Sequence, residues 1–302
     1  MKYDQAMVIG LASVAVAIAA YVIVSKRETE ITPELLNVGM ELPVIWVYYD
    51  DSQVNSRYWT DFGARSSRVI NIPILNLCYE TIVKANPDYR VQVIGGLQGV
   101  AELLGADSMP KSLINPRANV GPAELDWIRA AVLAKCGGLW LSNSVVCVKG
   151  FGKLPDHVVA FGQDDVPMYG SSVPGFRALW SPRPDDPQFI YLEIRCRERL
   201  DSNIRLEARS NFSADWAELF QGGEIRRCEL SRNSKTQKKL QLEDLFATQG
   251  GVLTVPCDTI YIVIPYDDLV TRSMFAWLLR SSEEQILNSD MAISRVLRQI
   301  LN

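Results

Sequence analysis

Glu124-Leu125-Asp126-Trp127-Ile128-Arg129, Leu133 and Lys135-Cys136-Gly137-Gly138-Leu139-Trp140-Leu141, running on into Ser142-Asn143-Ser144 and Val145-Val146, carry the clearest local signal in the chain. Pro122 suits the first turn of a helix, where its missing N–H costs nothing. Leu125, Ile128 and Val132 recur at helical spacing, and Gly137-Gly138 ends the helix by supplying a left-handed backbone position. Leu139 to Leu141 and Val145-Val146 then read as strands on either side of a polar triplet. Strand ends of an open α/β sheet are where ligands bind. Ser142, Asn143 and Ser144 are therefore the first candidate site residues.

Upstream, Pro43-Val44-Ile45-Trp46-Val47-Tyr48-Tyr49 reads as a buried strand that ends at Asp50-Asp51. A helix is expected from Ile74 to Ala85, with Leu75, Tyr79, Ile82 and Val83 apolar. Asn86-Pro87 stops it, because the residue before a proline is pushed out of the helical region. Arg90 to Ile94 is the next strand. Strand, helix, strand at this spacing points to a parallel α/β unit.

Downstream the pattern changes. Ser181-Pro182-Arg183-Pro184-Asp185-Asp186-Pro187 reads as a linker. Phe189 to Cys196, Ile204 to Ala208, Val252 to Val255 and Thr259 to Ile264 are strand candidates, so a β-rich unit is expected over 185–270. The last of these is apolar on both faces, which predicts burial on both sides. The chain closes with a helix from Ser282 to Leu301, behind a Ser281-x-x-Glu284 capping box and with an apolar stripe of Ile286, Ile293, Val296, Leu297 and Ile300.

The chain has 302 residues, 48% hydrophobic and 22% charged, enough to bury a sizeable core. Its formal net charge of −4 argues against nucleic acid as a partner, since phosphate neutralisation needs clustered Lys and Arg. The basic run from Arg226-Arg227 to Lys239 reads as a solvated loop. Cys78, Cys136, Cys147, Cys196, Cys228 and Cys257 show no zinc spacing and no dense disulfide framework, which fits reduced thiols in a reducing compartment.

Ala6 to Val24 holds nineteen residues without a charge. At about 1.5 Å per residue such a helix spans roughly the ~30 Å core of a bilayer. A cleaved signal peptide is the competing reading; it fits poorly with so long an apolar run and so weak a basic flank. Lys26 and Arg27 outweigh Lys2, so the positive-inside rule puts the body in the cytosol. Asn211-Phe212-Ser213 is a glycosylation sequon and does not settle the side. The expected organisation is a transmembrane anchor (1–27), a tether (28–42), an α/β domain (43–184), the β-rich unit (185–270) and a C-terminal helical segment (271–302).

The stretch from Glu124 to Leu141 resembles the core of the capsular-polysaccharide-synthesis and related sugar-transferase families with a GT-A fold. There an Asp-x-x-Arg helix runs into Gly-Gly, an apolar strand and an acidic metal motif. Leu42 to Trp46 and Asn86-Pro87-Asp88-Tyr89 match the family's strand entries, so the resemblance covers Leu42 to Lys149. It implies a GT-A-like (Rossmann-like) mixed sheet with helices and a nucleotide-sugar donor whose diphosphate is held by Mg²⁺ or Mn²⁺. By resemblance Asp126 would hold donor hydroxyls, and Arg129 would pair with Asp126 or with a phosphate. A plain i,i+3 salt bridge is the alternative for this pair. Asp50, at the end of the first strand, would approach the base or ribose, or simply close the strand in a turn.

The departure from the family weighs more than the match. Its Asp-x-Asp is replaced by Ser142-Asn143-Ser144, whose neutral oxygens hold a hard divalent cation far more weakly than carboxylates do. No metal cofactor is therefore expected. Asp164-Asp165 could bring carboxylates back, although a turn before Pro167 is the plainer explanation. His157, the lone histidine, reads as a loop residue.

Three functions compete at this point: a degenerate transferase kept as a membrane-pinned scaffold, an active metal-independent transferase, and a glycan- or nucleotide-binding module. A concrete form of the first is a minor structural protein of a virion, bridging an internal membrane to the capsid. It would meet its protein partners through the β-rich unit.

Overall fold

Val44–Tyr49 (β1) alternates its side chains between two buried layers, which makes it the axis of the molecule. Ile45, Val47 and Tyr49 face one layer and Trp46 and Tyr48 the other. Burying one such side chain contributes about 1.5–3 kcal/mol relative to leaving it in water. The computed structural model describes residues 42–50, 72–115, 118–166, 171–202, 215–216, 218–220, 223–232, 239–248 and 253–302, with backbone alone for 164–166 and 171–173. Leu42–Asn302 gathers into one compact unit. The Ala6–Val24 run and the tether lie outside the described residues. Among those described, no helix is long and apolar enough to cross a membrane.

β1 pairs in parallel with Arg90–Gly95 (β2) on one side and Gly138–Leu141 (β3) on the other. Ser171–Ser181 (β6) adds antiparallel to β3, Val159–Val166 (β5) antiparallel to β6, and Glu224–Arg226 (β7) parallel to β5. The resulting mixed sheet has the order β2-β1-β3-β6-β5-β7. A smaller sheet combines Val145–Cys147 (β4), Tyr261–Val263 (β9) and Glu229–Leu230 (β8), in the order β4-β9-β8.

Pro73–Ala85 (α1) covers the Ile45 face of the main sheet, together with the smaller sheet and the C-terminal helices. Gly96–Leu104 (α2), Pro122–Cys136 (α3) and Pro187–Asp201 (α4) cover the Trp46 face. The mixed α/β sheet with helices on its faces is the architecture expected from the sequence. α1 ends before Asn86-Pro87 as foreseen but starts one residue earlier than expected, on Pro73, and its Val83 is exposed instead of packed. β9 is buried along its whole length, also as expected.

Gly137 and Gly138 take φ values of 63° and 91°, both left-handed. A Cβ on Gly137 would meet the Arg183 carbonyl carbon at 2.7 Å, and one on Gly138 would meet the Val44 oxygen at 2.7 Å. The pair thus stops α3 and also lets two neighbouring backbones approach. Trp46 Nε1 donates to the Gly137 oxygen at 2.8 Å and locks the turn against β1.

Several expectations need correction. Phe189 to Cys196 is helical, as part of α4: Asp186 caps it by accepting from Gln188 N, Pro187 occupies its first turn, and Phe189, Leu192, Cys196 and Leu200 bury one helical face. The β-rich character foreseen for 185–270 is therefore absent from the described residues, where α4 is the longest element and each strand has two or three residues. Residues 253–255 form no strand, and 204–208 lie outside the description. The 181–187 segment is a tight β6–α4 connection, with Asp185 N donating to the Ala134 oxygen at 2.7 Å. Behind the short helices Leu242–Leu245 (α5) and Tyr266–Thr271 (α6), the C-terminal helix is two helices, Glu283–Asn288 (α7) and Ala292–Leu301 (α8). Its capping box sits one residue later than read, on Ser282 and Gln285. Asp164 and Asp165 lie within β5 and not in a turn.

Candidate functional site

The parallel register sets β1 and β3 side by side, with Val47 opposite Leu141, so the residues after Leu141 come level with Tyr48 and Tyr49. Asn143 Nδ2 donates to the Tyr48 carbonyl at 2.9 Å and ties the end of β3 to β1. Ser142 N donates to the Arg177 oxygen at 2.8 Å, and the Ser144 oxygen accepts from Ile264 N at 2.9 Å. The hydroxyls of Ser142 and Ser144 lie 3.3 Å apart. The triplet is thus sewn to β1, to β6 and to the segment after β9. Asp50 is half-buried immediately beyond β1, close in sequence to the Tyr48 carbonyl; Asp51 lies outside the described residues.

α3 brings Asp126 and Arg129 to one face, as their spacing foretold. Arg129 Nη1 donates to Asp126 Oδ1 at 2.9 Å, and both residues are 5% exposed. The guanidinium carbon lies 4.9 Å from the centre of the Phe176 ring and 5.8 Å from that of Trp140. Such stacking suits the flat, weakly hydrated guanidinium, and the low-dielectric setting strengthens its attraction to the carboxylate. Phe176 precedes Arg177, whose carbonyl holds Ser142. The pair and the triplet are therefore both anchored on one short stretch of β6.

That stretch is irregular. Phe161 pairs with Ala178 but Gln163 with Pro174, so β6 bulges over 175–177. Bulges re-aim side chains beside functional sites. Here the bulge sets Phe176 under Arg129. Sequence reading missed Tyr48, Phe176 and Arg177 as parts of the site, because only the sheet pairing brings them there.

The donor set does not fit a divalent cation. Two hydroxyls and a neutral amide offer no charged oxygen. Among the described residues no three His, Cys, Asp or Glu side chains converge where they could hold a metal ion. His157 is exposed, outside any strand or helix, with Nε2 at 2.6 Å from Glu224 Oε2. Arg226 and then His157 hold the Glu224 carboxyl below its ordinary range.

Burial pushes the Tyr49 phenol well up, with smaller pushes from Cys78 and Tyr79. The thiols of Cys78, Cys147 and Cys196 rise for the same first reason. All six cysteines are free, four of them buried. Burial also raises the thiols of Cys136 and Cys228, so none of these five is poised as a nucleophile by a depressed pKa.

No family model and no curated protein matches the chain. Among solved structures it is similar to "PaToxG Glycosyltransferase", with 13% identity and a TM-score of 0.37, over 68% of this chain and 79% of that one. It is also similar to a transferase in which two cysteines are replaced by serine, with 12% identity and a TM-score of 0.35, over 59% of this chain and 86% of that one. Neither likeness is close enough to carry individual residues across.

Proposed function

We infer that this chain is a membrane-tethered protein on a glycosyltransferase-like fold that has lost its grip on a donor metal and works as a structural scaffold. One observation carries the reading: at the end of β3 two neutral hydroxyls, 3.3 Å apart, stand where the acidic motif would have carboxylates, with the Asn143 amide between them donating to the Tyr48 carbonyl. A diphosphate leaving group needs concentrated positive charge there, and this triplet cannot recruit it. The Ala6–Val24 run supports a tether, and its basic flank supports a cytosolic body, or the capsid side of an internal virion membrane. Bridging that membrane to a capsid is the concrete role proposed.

Active, metal-independent transfer would need Arg129 as countercharge. Its burial and its bond to Asp126 weigh against that. The deciding experiment incubates the purified full chain, in detergent, with a panel of nucleotide sugars, with and without Mn²⁺. The scaffold reading expects no nucleoside diphosphate release and no shift in thermal midpoint. Release that Arg129→Ala abolishes would overturn it in favour of an enzyme. Stabilisation by a nucleoside diphosphate without turnover would overturn it in favour of a binding module. Ser142→Asp with Ser144→Asp should raise Mn²⁺ affinity in calorimetry; no gain would sink the alignment with the acidic motif.

A further inference from the structure

Two alanines of α3 face the seam with α4 and leave it open. Trp127, Ala131 and Ala134 line one side at helical spacing and Ile190, Glu193 and Arg197 the other, around a cleft of about 260 Å³ that Lys135 and Asp185 also line. Drug-sized sites run to roughly 300–1,000 Å³, so a fitting occupant is smaller than that. Ser142, Asn143 and Ser144 take no part in it.

The charges decide what the occupant carries. Arg197 is already engaged: Nε donates to Glu193 Oε1 at 2.9 Å, Nη2 donates to the Ser108 oxygen at 2.6 Å, and the guanidinium lies 5.4 Å from the centre of the Trp127 ring. Glu193 Oε1 accepts from Trp127 Nε1 as well, at 2.8 Å. Lys135 and Asp185 differ. Lys135 Nζ gives one proton to the Leu104 oxygen at 2.7 Å and has two more to donate. The Asp185 carboxylate makes no hydrogen bond or ion pair among the described residues. Asp185 N donates to the Ala134 oxygen at 2.7 Å, so the two residues spring from adjoining backbone, yet their side chains do not pair. Asp185 is also the one described non-glycine residue with a positive φ, 57°. Sparsely populated backbone of this kind collects at ligand sites.

A free ammonium and a free carboxylate side by side, beside Ala131, Ala134 and Ile190, complement a small molecule with the same two charges close together and an apolar tail. A quaternary ammonium suits the cleft less, because Arg197 already covers the Trp127 ring that would receive it. We propose that the α3–α4 cleft binds a free α-amino acid with an apolar side chain. Its carboxylate meets Lys135 Nζ, its ammonium meets the Asp185 carboxylate, and its side chain lies over Ala131 and Ala134 beside Ile190. This site is separate from the triplet and holds whether or not the chain transfers sugars.

The test is titration calorimetry on the full chain in detergent micelles, with L-phenylalanine and L-leucine as probes. At least one should bind with a Kd of about 1 mM or tighter. For the tighter of the two, the N-acetyl derivative lacks the ammonium and the amide lacks the carboxylate, and each should bind about tenfold more weakly. Asp185→Asn, which keeps a residue that tolerates the left-handed backbone, and Lys135→Met should each weaken the free amino acid about tenfold. Asp185→Asn should leave the N-acetyl derivative's affinity unchanged, and Lys135→Met that of the amide, since the matching charge is already gone. Native thermal midpoints would show that each variant folds, and the comparison of derivatives needs no variant at all. The absence of saturable heat from both amino acids overturns the proposal. Equal binding by the derivatives overturns it too, as does full affinity in folded Asp185→Asn.

Discussion

The carboxylate of Glu229 occupies the space that a side chain at position 162 would fill. A Cβ built on Gly162 would lie 1.4 Å from Glu229 Oε2, and Gly162 has φ +103°. Glu229 accepts from Gln163 N at 2.7 Å and lies 3.4 Å from the Tyr261 hydroxyl, which itself donates to the Phe161 oxygen at 2.7 Å. One carboxylate therefore clamps the kinked β5 of the main sheet to β8 and β9 of the smaller one. Gly162→Ala combines a left-handed backbone, about 1–3 kcal/mol for a non-glycine residue, with ejection of the clamp. It should lower the thermal midpoint more than Glu229→Gln, as calorimetry of the two variants would show.

Arg129 and Asp126 separate structural from catalytic burial. Removing one member of a buried ion pair leaves the other uncompensated, at about 3–5 kcal/mol. Arg129→Ala should cost that much in urea unfolding. Replacing both, Asp126→Leu with Arg129→Met, should cost markedly less. A large additive loss in the double variant would contradict a pair that serves mainly each other.

Asn143 ties two strand ends. Asn143→Asp turns a donor into a carboxylate facing the Tyr48 carbonyl, and an unsatisfied or repelled buried group costs about 1–3 kcal/mol. The variant should be less stable than Asn143→Ala at pH 8. Equal stability of the two would mean that the bond to Tyr48 holds little.

Alkaline pH should loosen the core. Burial pushes the Cys147 and Cys228 thiols from 9.0 up to about 12. The unfolded chain gives up these protons first, so the stabilisation is fully present below pH 9 and is lost progressively as pH rises to about 12. Denaturant midpoints should fall over that window, and Cys228→Ala should flatten the fall. In the folded protein a thiol reagent should reach exposed Cys257 ahead of the four buried cysteines.

Ser282 caps α7 from just before its first residue and accepts from Gln285 N at 3.1 Å. Ser282→Ala should cost about 1 kcal/mol, whereas Ser281→Ala, one residue outside the box, should cost less. Equal losses would return the cap to the register read from the sequence.

Local chemistry by itself determined β1, α1, β2, α3 and β3, because each rests on spacing or on a residue with a fixed backbone preference: Pro122 opening a helix, Asn86-Pro87 and Gly137-Gly138 closing them. The same reasoning placed Asp126 beside Arg129 and the triplet at a strand end. It failed at Phe189 to Cys196, where a short apolar run suits strand and helix alike; only the Asp186 cap and the packing of Leu192 and Leu200 against the sheet chose helix. Tertiary structure alone decided that Tyr48 answers Asn143, that Phe176 lies under Arg129 and that Glu229 fills the hollow at Gly162. Those contacts join residues far apart in the chain, and their geometry follows from sheet register and a bulge, which no local pattern of side chains encodes.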